Sequence, residues 1–268
     1  MFTASLVPLS RQVGGGAGRI DYLDVMARVH AAMARSTPSL VALKDTQPNG
    51  MLIICGGGPS IGDINQLKKI RRLVQKGGKI WAVNKTHDFL LSKGLKPWAA
   101  CLLDPMPWVA DYIMKPQKNT VYAVASQCDA AVFEALKHTN LYVWHAGIDV
   151  DGSGYPVAML ENDYKGRDWL VIPGPTTVGL RSILVGYALG FRHFHLFGMD
   201  SSMRLTGGQA SALHAYVKPK PADAPEGWVT LRTKNGEQSF FTNAHMARQA
   251  MDFEEMTEQI ATMVKSGA

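Results

Sequence analysis

Runs of consecutive apolar residues alternate with amphipathic stretches along most of this chain, the pattern of strands buried on both faces and separated by covering helices. Apolar runs over 51–55, 79–83, 98–103, 121–125, 141–144, 169–172 and 191–197 predict strands. Helical spacing predicts helices over 60–75, 86–93 and 129–137, and again from Val178 through Leu180, Leu184, Tyr187 and Ala188 to Gly190. Gly77-Gly78 and Gly94 supply stops. A leading helix over 20–34 carries Val25, Val29, Ala32 and Met33, and Ser36-Thr37-Pro38 ends it before a linker closing at Gln47-Pro48-Asn49-Gly50. The first 18 residues, ending Gly14-Gly15-Gly16-Ala17-Gly18, are expected to be flexible and to hold no chemistry.

The second half is more broken. A polar stretch over 145–167, with Asp149, Asp151, Gly152, Gly154 and Pro156, predicts a long loop of the kind that serves as a lid or binding loop. Residues 203–225 also read as loop, within a lid-like segment over 201–227. Apolar runs over 228–233 and 239–242, joined by Lys234-Asn235-Gly236-Glu237-Gln238, predict a hairpin. A last helix over 243–265 carries an apolar stripe of Met246, Ala250, Phe253, Met256, Ile260 and Met263, read as core, with an oligomer seam as the alternative. The whole is α/β and Rossmann-like: a mostly parallel sheet flanked by helices, with an N-terminal helix, a late β-hairpin and a C-terminal helix. Residues 1–49 form the lead-in and 50–268 a single domain.

At 268 residues, 46% of them hydrophobic, the chain suffices for one large core. Its net charge of +6 suits an anionic small molecule or an ordinary basic surface equally well. Much of the excess is Lys68, Lys69, Arg71, Arg72, Lys76 and Lys79, a solvated helix face without interleaved aromatics, so a nucleic-acid partner is not expected. Cys55, Cys101 and Cys128 lack metal-ligand spacing, which fits a reducing cytoplasm. No apolar run reaches the roughly 18 residues of a membrane span, so no membrane partner is expected.

Candidate chemistry gathers where the predicted strands end. After the first, Gly56-Gly57-Gly58-Pro59-Ser60 turns sharply into a helix start, an arrangement that either cradles a phosphate or is simply a tight turn. Asn84-Lys85-Thr86 follows the second strand and Asp104-Pro105 the third. Gly174-Pro175-Thr176-Thr177 opens a helix, and Gly198-Met199-Asp200-Ser201-Ser202 closes the strand before the lid. The carboxyl edge of an open α/β sheet is where ligands bind. Asp104 either caps a helix, accepts from ribose hydroxyls or holds a divalent ion, and Asp200 faces the same choice. His193 and His195 alternate along a strand and read as structural beneath a helix, while His87 is read as a ligand contact or a solvated helix-start residue. His214, beside Tyr216 and Lys218, combines a general acid or base with groups that neutralise a departing phosphate. Neither a Ser-His-Asp order nor a His-Glu-x-x-His motif is present.

Taken in order, Cys55-Gly56-Gly57-Gly58-Pro59-Ser60, Ala82-Val83-Asn84, Leu103-Asp104-Pro105, Gly174 through Leu180 and Leu196-Phe197-Gly198-Met199-Asp200 resemble the MptE-like family over roughly residues 50–216. That family includes archaeal 6-hydroxymethyl-dihydropterin pyrophosphokinases, bacterial motility accessory factors implicated in flagellin glycosylation, and short phage-encoded relatives. The series is also similar to bacterial sialyltransferases, which carry an Asn where this chain has Gly57; Asn84 matches their pattern. The resemblance implies a Rossmann-like nucleotide-binding transferase. In its glycosyl form Gly56, Gly57, Gly58, Pro59, Ser60 and Asn84 hold a nucleotide-sugar, with Lys85, Thr176, Thr177 and Ser201 nearby. His214 deprotonates the acceptor, and Tyr216 with Lys218 or Arg204 stabilises the leaving phosphate. In its diphosphokinase form the same turn holds ATP, Asp104 and Asp200 bind magnesium, and a pterin-like alcohol receives the diphosphate. A nucleotide-binding accessory protein without turnover is the third alternative.

Overall fold

The structure, a computed structural model, describes residues 12–13, 20–147, 157–174, 177–206, 209–211, 228–232 and 239–266; side chains are described over 23–147, 157–174, 177–202 and most of 242–262. A seven-stranded parallel sheet forms its centre. The strands are β1 (Gly50–Cys55), β2 (Lys79–Val83), β3 (Ala99–Leu102), β4 (Val121–Ala125), β5 (Asn140–Ala146), β6 (Val171–Ile172) and β7 (Phe191–Phe197), in the spatial order β6-β5-β4-β3-β2-β1-β7. Helices α1 (Tyr22–Met33), α2 (Ile64–Gln75), α3 (Thr86–Ser92), α4 (Ala130–Leu136), α5 (Val157–Asp163) and α6 (Val178–Ala188) accompany it, and α7 (Ala244–Ser266) closes the chain.

The central strands β3 and β4 are buried at every residue, and in β2 only Lys79 is not, which accounts for their unbroken apolar sequence. Helix α6 packs on β1, β2, β3 and β7. At that crossing the buried Trp81 indole donates to Ser182 Oγ at 2.9 Å, and Ser182 in turn donates to the Val178 carbonyl, so the polar atoms beneath the helix are satisfied. The lead-in packs against the sheet too: Leu40 is fully buried, and the Val143 N–H donates to the Pro38 carbonyl.

Several elements differ from the sequence pattern for identifiable reasons. The helix expected over 60–75 is split. Pro59–Gly62 form a 3-10 turn, and α2 starts afresh at Ile64 because the Asp63 carboxylate accepts from the Asn65 N–H. The polar stretch over 145–167 is not one loop, since His145 and Ala146 complete β5 and Val157–Asp163 form α5, whose Met159 and Leu160 pack with Val25 and Val29 of α1. Residues 203–211 are not loop either. Met203–Thr206 (β8) and Gln209–Ser211 (β9) pair antiparallel, and with Trp228–Arg232 (β10) and Ser239–Asn243 (β11) make a second sheet in the order β9-β8-β11-β10. The expected late hairpin is thus present as part of a larger sheet. Gln12–Val13 pair with Ile20–Asp21. His193 does not lie beneath a helix: β7 stands at the sheet edge, and His193 is exposed and His195 half-buried.

The ends of β1 and β7 approach each other closely. Gly56 donates its N–H to the Phe197 carbonyl and Gly58 donates to the Gly198 carbonyl, both at 2.8 Å. Gly198 has φ +63° and faces the Gly56 backbone so closely that a Cβ there would strike the Gly56 carbonyl oxygen. Gly198→Ala combines left-handed strain with that clash, and its expected cost is roughly 2–4 kcal/mol of stability, read as a lowered urea midpoint at unchanged slope.

Candidate functional site

The strand-end residues picked out by sequence do meet along one edge, but their internal bonds assign them different tasks. At the glycine corner the Asp200 carboxylate sits on the first turn after Pro59: Oδ2 accepts from the Ser60 N–H and Oδ1 from the Ser60 hydroxyl, each at 2.7 Å. A protein carboxylate thus occupies the donors that a phosphate would use. Gly58 is constrained by the same group, because a Cβ there would meet Asp200 and the Gly198 carbonyl oxygen. The Gly57 N–H has no hydrogen-bond partner among the described residues.

One strand further on, Asn84 adopts φ +53° and its Nδ2 donates to Asp104 Oδ2 at 3.2 Å. Asn84 is 6% exposed, and its Oδ1 is buried with no partner among the described residues. Burial pushes the Asp104 carboxyl above its ordinary range, outweighing the Asn84 amide bond that lowers it. The loop after Asp104 is anchored from the lead-in, since Arg28 of α1 donates to the Pro105 carbonyl and pairs with Asp129 at 3.1 Å. Lys85 lies over the Tyr112 ring, 5.0 Å from its centroid. His87 is neither a ligand contact nor solvated. It is fully buried, with Nδ1 2.7 Å from Asp88 Oδ1 and Nε2 3.1 Å from the Tyr122 hydroxyl, and desolvation lowers its pKa.

Thr177 caps α6 by accepting from the Leu180 N–H at 3.2 Å. Thr176, His214, Tyr216 and Lys218 lie outside the described residues, as does the side chain of Arg204. Ser201, at φ +45°, donates to Gln249 Oε1 of α7 at 3.1 Å, and its carbonyl accepts from Thr242. These bonds fix the turn after β7 to the last helix. Between them lies a cavity of 730 Å³, bounded by the glycine corner, the start of α6, the end of β7 and one face of α7. Met246, Ala250 and Phe253, expected as core, line this cavity, whereas Met256 is buried; the Met263 side chain lies outside the described residues.

Two buried groups at this edge carry weight that sequence reasoning did not give them. Arg181, 5% exposed, donates to the carbonyls of Ile172, Gly147 and Gly174 at 2.6, 2.9 and 3.0 Å, gathering the ends of β5 and β6 and the turn before α6. The available signal was a lone charge in the apolar register of that helix. His145, fully buried, shares a proton with Ser126 Oγ through Nδ1 at 2.8 Å, and its Nε2 has no partner among the described residues. Burial lowers its pKa to about 4. The three cysteines are buried free thiols, raised by desolvation (Cys101 to about 12), which makes them inert. Among the described residues no group of three or more His, Cys, Asp or Glu side chains is placed to hold a metal, and no helix is long and apolar enough to cross a membrane.

A parallel sheet with helices on its faces and a cleft at its carboxyl edge defines a Rossmann-like α/β protein. Within that class, the chain belongs to the MptE-like family: the family described as 6-hydroxymethylpterin diphosphokinase MptE-like matches residues 28–205. Membership supports a transferase kind of function. A MAf glycosyltransferase from Magnetospirillum magneticum AMB-1 shares the fold, with a TM-score of 0.58 and 15% identity over 88% of this chain. This chain spans 34% of that one. Among curated proteins none matches.

Two outcomes test this arrangement. Asp200→Ala leaves the Ser60 donors unpaired and should cost about 1–3 kcal/mol in urea unfolding, while Ser60→Ala should cost less because the backbone bond survives. His145 titrates near 6.5 when unfolded and near 4 when folded, so the unfolded chain takes up the proton first on acidification. Its share of stability is present above 6.5 and is lost as pH falls to about 4, an amount of about 3 kcal/mol. A His145→Gln variant should therefore lose less stability than the wild type across that window.

Proposed function

We propose that this protein is a nucleotide-dependent transferase, a glycosyltransferase whose nucleotide-sugar donor lies along the carboxyl edge of the sheet. The observation that carries this reading is the gathering, at the carboxyl ends of one parallel sheet, of a Gly57 N–H and an Asn84 acceptor that are both unpartnered among the described residues, the Asp104 carboxyl beside Asn84, and the capped start of α6. Asp200 serves as a positioning residue that holds the glycine corner through Ser60. In the reaction an acceptor hydroxyl oxygen bonds to the anomeric carbon as the bond from that carbon to the phosphate oxygen breaks. The electron pair departs on the phosphate, and His214 takes the hydroxyl proton. Tyr216, with Lys218 or Arg204, balances the charge on the leaving group. These four roles rest on sequence position and on the resemblance to sialyltransferases.

The description of the family favours a second reading, a magnesium- and ATP-dependent diphosphokinase acting on a pterin-like alcohol. Asp104 and Asp200 as arranged do not make a site for a hard dication, because Asp200 already holds Ser60 through both oxygens and, among the described residues, no group of three or more His, Cys, Asp or Glu side chains is placed to hold a metal. No metal-dependent step is therefore assigned to them.

Thermal unfolding with CMP, UDP, GDP and ATP, each with and without magnesium, separates the two readings. The glycosyl reading expects a pyrimidine or guanine nucleotide to raise Tm without magnesium, by several degrees at about 100 times Kd. Stabilisation by ATP that requires magnesium would instead establish the diphosphokinase. A His214→Ala variant that binds the nucleotide normally but no longer releases it from its sugar would distinguish turnover from binding alone.

A further inference from the structure

The cavity beside the glycine corner differs chemically from a phosphate site. Its floor and walls are Val83, Leu180, Leu196 and Met199 from the sheet and α6 side, faced by Met246 and Phe253 of α7. Among the described residues the acidic or basic side chains lining it are Asp200 and Glu254, whose carboxylates repel phosphate and accept from hydroxyl or ring N–H groups. At 730 Å³ it is of ordinary size for a small-molecule site, and apolar walls with a few placed polar groups are the usual composition of one. Thioether and aromatic walls suit the face of a flat ring.

One polar group is set to read such a ring. Ser201 Oγ donates to Gln249 Oε1, which fixes that end of the amide, and the Nε2 end has no partner among the described residues. Gln249 lines the cavity together with Ala250, whose side chain is small and exposed. All the α7 contributions fall beyond residue 205, where the family match ends.

We infer that this cavity is a nucleoside subsite, which takes the uncharged base and ribose of the donor base-first between Met199 and Phe253, and that Gln249 on α7 selects the base by donating to an acceptor on its edge. The inference rests on reading this edge as nucleotide-binding. The phosphates then lie at the glycine-corner end of the cavity, against the Gly57 N–H.

The test is isothermal titration of the full chain with adenosine, guanosine, cytidine and uridine and with their nucleotides, at low and high salt. It uses the wild type, Ala250→Trp and Gln249→Leu. Ala250 is exposed on its helix, so Trp is compatible with folding, which circular dichroism and the unliganded Tm verify. One free nucleoside should bind with an affinity nearly independent of salt. Ala250→Trp should abolish that binding, and Gln249→Leu should weaken it about tenfold and flatten the preference among bases. Should a nucleotide bind while no free nucleoside does, or should both variants bind as the wild type does, the subsite assignment falls and the nucleotide reading stands. If neither nucleosides nor nucleotides bind, both fall together.

Discussion

The joint between the ends of β1 and β7 is the constraint on which the rest of this edge depends. Two glycines let the backbones approach closely, and the Asp200 carboxylate fastens them through Ser60 with two charge-assisted bonds. Beyond the Cys55–Phe197 pair that ends the ladder, this joint is what holds the turn after β7 against the glycine corner. Without it the floor of the cavity, made from Leu196, Met199 and Leu180, would lose its definition. The order β6-β5-β4-β3-β2-β1-β7 places this joint where the chain, having run outward from β1 to β6, returns to the other side of β1. Connections diverge from such a point, and a crevice is left between them.

Around the crevice the fold tolerates polar groups that an interior would ordinarily reject. Among the described residues the Asn84, Thr86, Trp144 and His145 side chains each keep one buried atom without a partner, and Asn84 holds a left-handed backbone that costs energy in a residue with a side chain. Away from these positions Trp81 is paired with Ser182, and His87 with Asp88 and Tyr122. The unmet groups therefore concentrate at strand ends. Arg181 and Arg28 act as fasteners for the loops between, each donating to carbonyls that would otherwise be stranded where strands stop.

Helix α7 makes the crevice a cavity. Its apolar stripe divides along its length, with Met256 in the core, Phe253 at the boundary and Met246 and Ala250 over the opening. One stripe thus does two jobs, and spacing alone cannot tell them apart, because a residue facing a cavity and one facing a core obey the same periodicity. The matched family region ends before this helix begins.

Unbroken apolar runs such as those of β3 and β4 determined by themselves that a parallel sheet would form, since only strands covered on both faces need such sequence. Local punctuation set most boundaries: Asp129 caps α4, and glycines at positive φ follow α2 and α3. The order of strand-end motifs also determined the family. Tertiary structure alone decided which partner each polar residue would take. Ser60 reads locally as a helix cap or a ligand contact, yet it is claimed by a carboxylate 140 residues away, and His87 is claimed by Tyr122. The splitting of the helix at Gly62 and Asp63, the helix within 157–163 and the pairing of β8 with β11 were settled in the same way. Periodicity reports which face of an element is buried, whereas hydrogen bonds and cavities depend on what lies opposite, and that is fixed only when distant segments meet.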